Sequence, residues 1–139
     1  MEAGNDVVSI DRHRAWIEEP NTLMINVEGD VTGDNMRQMR DMTDFIGAGN
    51  GPVIIMQDLS KAGAFTAAAR KEILDDERTK RVKSVICIGA SFRMRVFMTM
   101  ITKALKLVNP VIPMTLFAKD EAEARNILAA ERARFEKES

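Results

Sequence analysis

The sequence predicts one α/β domain, in which a mixed sheet of about five strands carries an N-terminal hairpin and four helices. Short apolar runs alternate with longer segments in which apolar residues recur every three or four positions, an order typical of a sheet with helices packed against it. The run Val53–Met56 is apolar at every position, as expected of a central strand buried on both faces. With 139 residues, 45% of them hydrophobic, the chain is long enough for one domain with a substantial core.

The N-terminal part of the chain is predicted to be a strand hairpin. Val7–Ile10 and His13–Glu18 have the composition of extended chain, and a turn at Pro20-Asn21 leads into Leu23–Glu28. Apolar and polar residues alternate in this last segment, which predicts a strand near the edge of the sheet. We expect the domain to span residues 7–135, with flexible termini at 1–6 and 136–139.

Four amphipathic segments after the hairpin are predicted to be helices, because their apolar residues follow the helical period. Two further apolar runs, at residues 82–89 and 112–118, are predicted to be strands. Each helix is preceded by a polar residue whose side chain can accept hydrogen bonds from the first turn. These residues are Thr32, Thr66, Ser91 and Asp120.

The extents of the last three helices follow from where their patterns end. The second is expected to reach about Arg78, with Arg70 on its inner stripe beside apolar neighbours. The third is expected to end near Leu107, before a proline. The fourth is expected to be frayed and solvated from Glu131 onward, where charged residues dominate.

Composition and charge exclude several classes of function. The formal net charge of −1 provides no overall attraction to nucleic acid. No apolar run approaches the roughly 20 residues that a membrane-spanning helix needs, and the polar, acidic start of the chain does not have the pattern of a signal peptide. Cys87 is the only cysteine, which excludes an internal disulfide and predicts a cytoplasmic location.

No group of residues has the pattern of a catalytic or metal site. His13 is the only histidine, and Cys87 lies in an apolar strand. A Cys–His nucleophilic pair or a zinc site would require the two to converge, with further ligands. The acidic run Asp75-Asp76-Glu77 points in several directions on a helix, so it is interpreted as a solvated face. We therefore predict a protein that is not an enzyme, with no cofactor and no metal.

The order of elements carries a resemblance to a known family. A short apolar strand ends in Asp58-Leu59-Ser60, a loop leads into a helix, and the last strand, Thr115–Ala118, precedes a helix capped by Asp120. From about His13 to Ala130, this order resembles the STAS domain, and in particular its SpoIIAA-like group. That group is similar both to anti-sigma-factor antagonists and to CRAL-TRIO lipid-transfer domains. The resemblance implies a STAS/SpoIIAA-like fold.

The same resemblance draws attention to a departure from the family pattern. In anti-sigma-factor antagonists the helix after this loop opens with Asp-Ser-Ser-Gly, and the first of those serines is phosphorylated. Here the four positions are Thr66-Ala67-Ala68-Ala69, so Ala67, which has no hydroxyl, stands at the phosphoacceptor position. The resemblance therefore implies a chain without the family's phosphoserine switch. Nearby, only Thr66 and Ser60 have a hydroxyl that could accept a phosphate.

Four polar residues, Asp58, Ser60, Thr66 and Arg70, are candidates for partner or ligand binding. Asp58 and Ser60 are predicted to stand at the carboxyl end of the central strand, where open α/β sheets place their ligands. Asp58 either contacts a ligand or partner, or its carboxylate caps or ties down its own loop, for which pairing with Arg70 is one route. Thr66 is more readily explained as a helix cap than as a phosphorylation site, because the first turn needs an acceptor. The role of Ser60 stays open.

The third helix supplies four apolar candidates, Phe92, Val96, Phe97 and Met100. Apolar residues occupy nearly its whole circumference, although a surface helix needs an apolar stripe on one side only. The surplus is covered by the core of the domain itself, by a second copy of the chain, or by a bound apolar ligand. Met and Phe side chains suit an adaptable surface of this kind.

Two hypotheses about function follow. The first is a non-enzymatic, cytoplasmic regulatory module, similar to STAS domains, that binds a protein partner or forms a homodimer through the Asp58–Thr66 rim and the third helix. The alternative is a carrier or sensor of CRAL-TRIO-like type that holds a lipid or other apolar small molecule between the third helix and the sheet. A chain of this length has little spare volume for the usual pocket of roughly 300–1,000 Å³.

Overall fold

The computed structural model, which describes residues 1–108 and 113–138, contains one six-stranded sheet in the order β1-β2-β3-β4-β5-β6. The first three strands pair antiparallel, and the pairs from β3 to β6 are parallel. The mixed sheet and the N-terminal hairpin are confirmed, with six strands where about five were predicted. The strands are β1 (Val8–Ile10), β2 (His13–Glu18), β3 (Thr22–Val31), β4 (Val53–Phe65), β5 (Val82–Ile88) and β6 (Met114–Ala118).

Four α-helices complete the fold, as predicted: α1 (Gly33–Thr43), α2 (Ala67–Asp75), α3 (Phe92–Val108) and α4 (Glu121–Glu138). The first three each connect one parallel strand to the next in the same direction along the sheet. Because such crossovers are right-handed, α1, α2 and α3 lie on one face. Helix α4 follows the last strand and covers the other face. No helix in the two described ranges is long and apolar enough to cross a bilayer.

Strand β4 lies inside the sheet and separates two apolar cores, which confirms the prediction of a strand buried on both faces. Alternate side chains of a strand point to opposite faces. Val53 and Ile55 accordingly pack towards α1, α2 and α3, whereas Ile54 and Met56 pack towards α4. Trp16 is 3% exposed in the core beneath α4.

The prediction that β4 ends near Met56 is wrong, because the strand continues to Phe65. Its last part pairs with β3 through two irregularities in register. Gly63 is required by this close pairing, since a Cβ there would clash with the Asp30 carboxylate. The same carboxylate accepts a hydrogen bond from the Ala64 amide at 2.8 Å. Polar and glycine residues that indicate a loop in the sequence thus belong to an irregular strand.

Strand β3 is also an interior strand, although the alternation of its residues predicted a position near the edge. It pairs with β2 on one side and with β4 on the other. Met24 is fully buried among the residues beneath α4. Asn26, one of the polar residues that produced the alternating pattern, lies near the rim of the sheet, where polar side chains reach the surface.

Helix α2 ends earlier than predicted. It stops at Asp75 rather than near Arg78, and Asp76 has an extended backbone. The Asp76 side chain then accepts a hydrogen bond from the Arg78 amide at 2.9 Å and begins a 3-10 turn over Glu77–Arg81. The acidic run therefore contains the cap of a new turn. Among the described residues, no group of His, Cys, Asp and Glu could hold a metal ion.

The prediction of a frayed, solvated end of α4 from Glu131 onward is wrong. Glu131 is 7% exposed and Phe135 is 9% exposed, and the helix runs to Glu138. The Glu131 carboxylate accepts hydrogen bonds from Ser84 of β5 and from Arg134. The domain limits at 7–135 and the flexible termini at 1–6 and 136–139 stay predictions. The predicted start of the last strand, at residue 112, lies outside the described residues.

Candidate functional site

Thr66 forms the N-cap of α2, as the sequence predicts. Its hydroxyl oxygen accepts a hydrogen bond from the Ala69 amide at 3.1 Å, and the helix begins at Ala67. The hydroxyl therefore satisfies one of the free amides of the first turn. The lack of a phosphoserine switch at Ala67 stays a prediction.

Asp58 and Ser60 form a tight turn-like contact within β4. One Asp58 carboxylate oxygen accepts hydrogen bonds from the Ser60 amide at 3.0 Å and from the Ser60 hydroxyl at 2.7 Å, and the other oxygen lies 3.1 Å from the ammonium group of Met1. Partial burial acts to raise the pKa of the Asp58 carboxyl, but these hydrogen bonds outweigh it, so the pKa lies below its ordinary value of 3.8. Both residues line an open, polar pocket of about 350 Å³, together with Arg12, Arg14 and Lys61.

The proposed pairing of Asp58 with Arg70 is wrong. Asp58 follows Ile54 and Met56 at the two-residue period of a strand, so it lies towards the α4 face, whereas α2 covers the opposite face. Arg70 is exposed and donates a hydrogen bond to the Phe65 carbonyl at 3.0 Å. It therefore does not share the inner stripe of α2 with Ala69, which is fully buried.

Arg70 instead lies with Phe97 in an open groove of about 620 Å³, which we call the rim groove. Its walls are the end of β4 (residues 62–65), Arg70 of α2, and the first turns of α3 including Arg93 and Phe97. The Phe97 ring stacks on the Phe65 ring with a centroid distance of 5.0 Å. This contact joins α3 to the end of β4, so the groove has a firm apolar floor and two cationic side chains at its sides.

The outward side of α3 confirms the apolar surplus of the sequence. Met94, Met98, Ile101 and Leu105 are buried against the sheet, at the spacing of a single inner stripe. On the opposite side, Phe92 is 83% exposed, Val96 44%, Met100 65% and Leu107 87%. We call these four residues the outer stripe. Three predicted site residues, Phe92, Val96 and Met100, thus share one surface, and Phe97 lies half-buried beside them.

An internal cavity lies beneath α3, but its volume is only about 60 Å³. That is far below the roughly 300 Å³ of a small ligand pocket, so it has no room for a lipid chain. The space between α3 and the sheet is therefore too small for the apolar ligand that the carrier hypothesis requires.

Arg40 of α1 lines this cavity and is only 5% exposed. Within the described residues the only hydrogen bond of its side chain runs from Nε to the Thr79 hydroxyl at 3.3 Å, and no carboxylate lies within ion-pair distance of the guanidinium. Burial lowers the pKa of Arg40 to about 10, although Asp76 acts in the opposite direction. Sequence reasoning missed this residue. The signal was its spacing, since Arg40 stands four residues after the buried Met36.

His13 and Cys87 both take part in the packing of the interior. His13 is buried; its Nδ1 accepts a hydrogen bond from the Glu28 amide at 3.0 Å, and its Nε2 lies 3.0 Å from the Asp30 carbonyl oxygen. Burial raises the pKa of the Cys87 thiol to about 11, which disfavours the thiolate. Within the described residues, no hydrogen bond joins His13 to Cys87.

The basic residues after α2 are used mainly within the chain. The Arg81 guanidinium donates to the carbonyls of Thr43, Ile46 and Asn50 at 2.7–2.8 Å and to that of Gly51 at 3.1 Å. Arg81 therefore closes the connection between α1 and β4. Another of these basic residues, Arg78, forms ion pairs with the carboxylates of Asp41, Asp44 and Asp76.

Comparison with solved structures finds the same arrangement in other proteins. An uncharacterized protein of the DUF3478 family from Shewanella loihica PV-4, described as having a SpoIIAA-like fold, superposes with a TM-score of 0.55 at 18% sequence identity. The match covers 92% of this chain and 99% of that one. This chain therefore has a STAS/SpoIIAA-like fold. The unphosphorylated anti-sigma factor antagonist SpoIIAA gives a TM-score of 0.49 at 15% identity, covering 88% of this chain and 97% of that one.

The sequence comparisons do not extend this result. No protein-family model matches the chain, and no curated protein matches it. At these levels of identity the likeness extends to the fold, so function has to be argued from surfaces and side chains.

Proposed function

We propose that this protein is a non-enzymatic regulatory module of the cytoplasm that binds a protein partner, or a second copy of itself, through the rim groove and the outer stripe of α3. The observation that carries the proposal is the exposure of Phe92, Met100 and Leu107 along one side of a single helix. Large apolar side chains that are scattered singly need no explanation, but several of them along one side of a helix beside a groove are typical of an interaction surface.

Two further observations support the location and composition of this surface. The rim groove adjoins the first turns of the same helix, where Arg93 and Phe97 line it. Met and Phe side chains can adapt their shape to a partner, and an aromatic side chain contributes a large contact area when it is buried. The SpoIIAA-like fold supports a regulatory role by analogy only.

The non-enzymatic part of the proposal is supported by the positions of the residues with chemical potential. Both ring nitrogens of His13 are engaged in the interior. The Cys87 thiol is buried and its ionisation is disfavoured. A nucleophile and a base within hydrogen-bond reach of each other are the minimum for covalent catalysis. The cytoplasmic location is supported by a single, buried cysteine.

The proposal is tested by placing a charge in the outer stripe. Met100→Glu should abolish complex formation, because a carboxylate buried without a partner is strongly unfavourable. Phe45→Glu is the matched control, since Phe45 is 77% exposed at the far end of α1. Light scattering reports a homodimer, and affinity capture from a lysate of the native cell reports another partner. A wild-type protein that is monomeric and retains nothing would contradict the proposal, as would a complex that is insensitive to Met100→Glu.

A further inference from the structure

We infer that the outer stripe of α3 docks against an acidic, amphipathic helix of another protein rather than against a second copy of this chain. The inference deepens the proposed function and rests on it. It starts from the charge of α3, whose 17 residues include four cations and not one Asp or Glu. The chain as a whole has a net charge of −1, so this helix departs strongly from the average surface. The four cations are Arg93, Arg95, Lys103 and Lys106.

These four cations are available to a partner. All are exposed, and within residues 1–108 and 113–138 none forms an ion pair. Of the four, Arg95 lies over an aromatic ring, with its guanidinium carbon 5.7 Å from the centroid of the Phe117 ring. Elsewhere on the surface paired and unpaired cations both occur; Arg37, for example, pairs with both Asp34 and Glu72, whereas Arg14 forms no ion pair among the described residues. An unpaired, exposed cation adds little to the stability of the fold, which leaves its charge free to act in recognition.

The apolar residues and the cations of α3 form one coherent pattern. At about 100° per residue, Leu107 falls between Val96 and Met100 in projection down the helix axis, so it continues the outer stripe. The exposed Lys103 projects between Phe92 and Val96 and interrupts the stripe before Leu107. Lys106 lies on one flank of the stripe and Arg93 on the other. An apolar seam with one cation within it and others along its flanks is complementary to a helix that has an apolar face bordered by Asp and Glu.

Open grooves on both sides of α3 fit this kind of partner. The rim groove, of about 620 Å³, presents Arg70 and Arg93. A second groove, of about 510 Å³, lies between α3 and β6 and presents Lys103 and Lys106. Two concave channels beside a ridge can receive rows of side chains from an adjacent helix. A flat bilayer would leave both channels filled with water, so a protein helix is the better occupant.

The same charges argue against a second copy. In a twofold dimer the same surface meets itself, so an α3-to-α3 contact would bring eight cations together without an acidic residue on either helix. Juxtaposition of like charges is strongly unfavourable in an interface. The charge of α3 therefore selects a partner of the opposite sign.

The inference can be tested with a phage-displayed library of random helix-length peptides and the intact protein. Selected peptides are expected to be rich in Asp and Glu, with apolar residues at helical spacing. The double variant Lys103→Glu/Lys106→Glu should weaken their binding by about tenfold or more, and added salt should weaken binding to the wild type. Lys71→Glu, a single charge reversal on α2 at a lysine that pairs with Asp75, should leave affinity unchanged. Far-UV circular dichroism of each variant establishes that it is folded.

Two other occupants of the surface are distinguished in the same set of experiments. A wild-type homodimer that Met100→Glu dissociates would overturn the inference and leave the proposed function standing. Sedimentation with phosphatidylserine-containing vesicles, lost in Met100→Glu, would replace the protein partner by a membrane and overturn both. Peptides that are neutral or basic, or that bind equally to the Lys103→Glu/Lys106→Glu variant, would overturn the inference. A selection that yields no peptide dependent on Met100 would do the same.

Discussion

Replacement of the buried Arg40 by methionine should stabilise the protein. Burial lowers the pKa of Arg40 from the ordinary value of arginine to about 10, and at about 1.36 kcal/mol per pH unit this shift corresponds to a cost of about 3 kcal/mol for the charged form. Methionine has a similar length, fills the same space and carries no charge. The substitution also removes the hydrogen bond from Nε to Thr79, which should lower the free energy of unfolding by about 1 kcal/mol and so reduce the stabilisation. The expected increase in the free energy of unfolding is about 2 kcal/mol.

The measurement is urea unfolding followed by the fluorescence of the single tryptophan, Trp16, which is buried in the core beneath α4. The midpoint should rise while the slope stays unchanged. Arg37→Met on the same helix is the control; Arg37 is exposed and its ion pairs are screened, so its loss should change stability by less than about 1 kcal/mol. A loss of stability in Arg40→Met comparable to the predicted gain would refute the reasoning, because it would mean that the buried charge has a counter-ion.

The pH dependence of the same pair of proteins gives an independent check. Below about pH 10 Arg40 is charged in both the folded and the unfolded state, so the full cost of burial is present. As the pH rises above about 10 towards the ordinary pKa of arginine, the folded protein releases the proton before the unfolded chain does, and the cost disappears. The advantage of Arg40→Met over the wild type should therefore shrink over this range. Lysines titrate there too, but they are common to both proteins and cancel in the difference.

Two further substitutions test other parts of the structure by urea unfolding. Thr66→Ala should destabilise the protein by about 1 kcal/mol because α2 loses its cap, whereas Thr66→Ser should be close to the wild type; equal stability of all three would contradict the assigned cap. Arg81→Lys should lower the free energy of unfolding by about 2 kcal/mol, because an ammonium group cannot donate all of the guanidinium's hydrogen bonds to the carbonyl oxygens between α1 and β4. Lys80→Ala, its exposed neighbour, should change stability by less than about 1 kcal/mol.

The parts of the fold that were predictable are those set by local patterns. An unbroken apolar run indicated the central position of β4, and the helical period indicated α3 with its inner stripe. The caps at Thr66 and Asp120 were also predictable, because the acceptor and the free amides are close in sequence; the Asp120 carboxylate accepts from the Glu123 amide at 2.9 Å. In each case the residues that decide the structure lie within one turn or one strand of each other.

The errors concern contacts between residues that are distant in sequence. The second half of β4 is a strand only because β3 supplies its hydrogen bonds, so a window around Gly63 resembles a loop. Glu131 is buried because Ser84, 47 residues earlier, donates a hydrogen bond to it. The pairing of Asp58 with Arg70 ignored a rule that was available, since Asp58 follows Met56 at a step of two and α2 packs on the other face.

The exposure of α3 follows from the topology, which bears on why its charges are there. Helices α1, α2 and α3 cover one face in sequence, and β6 is the last strand, so α2 packs against one side of α3 while no described helix covers the other. Lysines beside the open edge of a sheet can act simply to prevent association with another copy. That role requires only repulsion, and it does not require an apolar row along the same helix. The outer stripe with Met100 at its centre is the feature that repulsion leaves unexplained, and it is the reason for assigning α3 a partner of opposite charge.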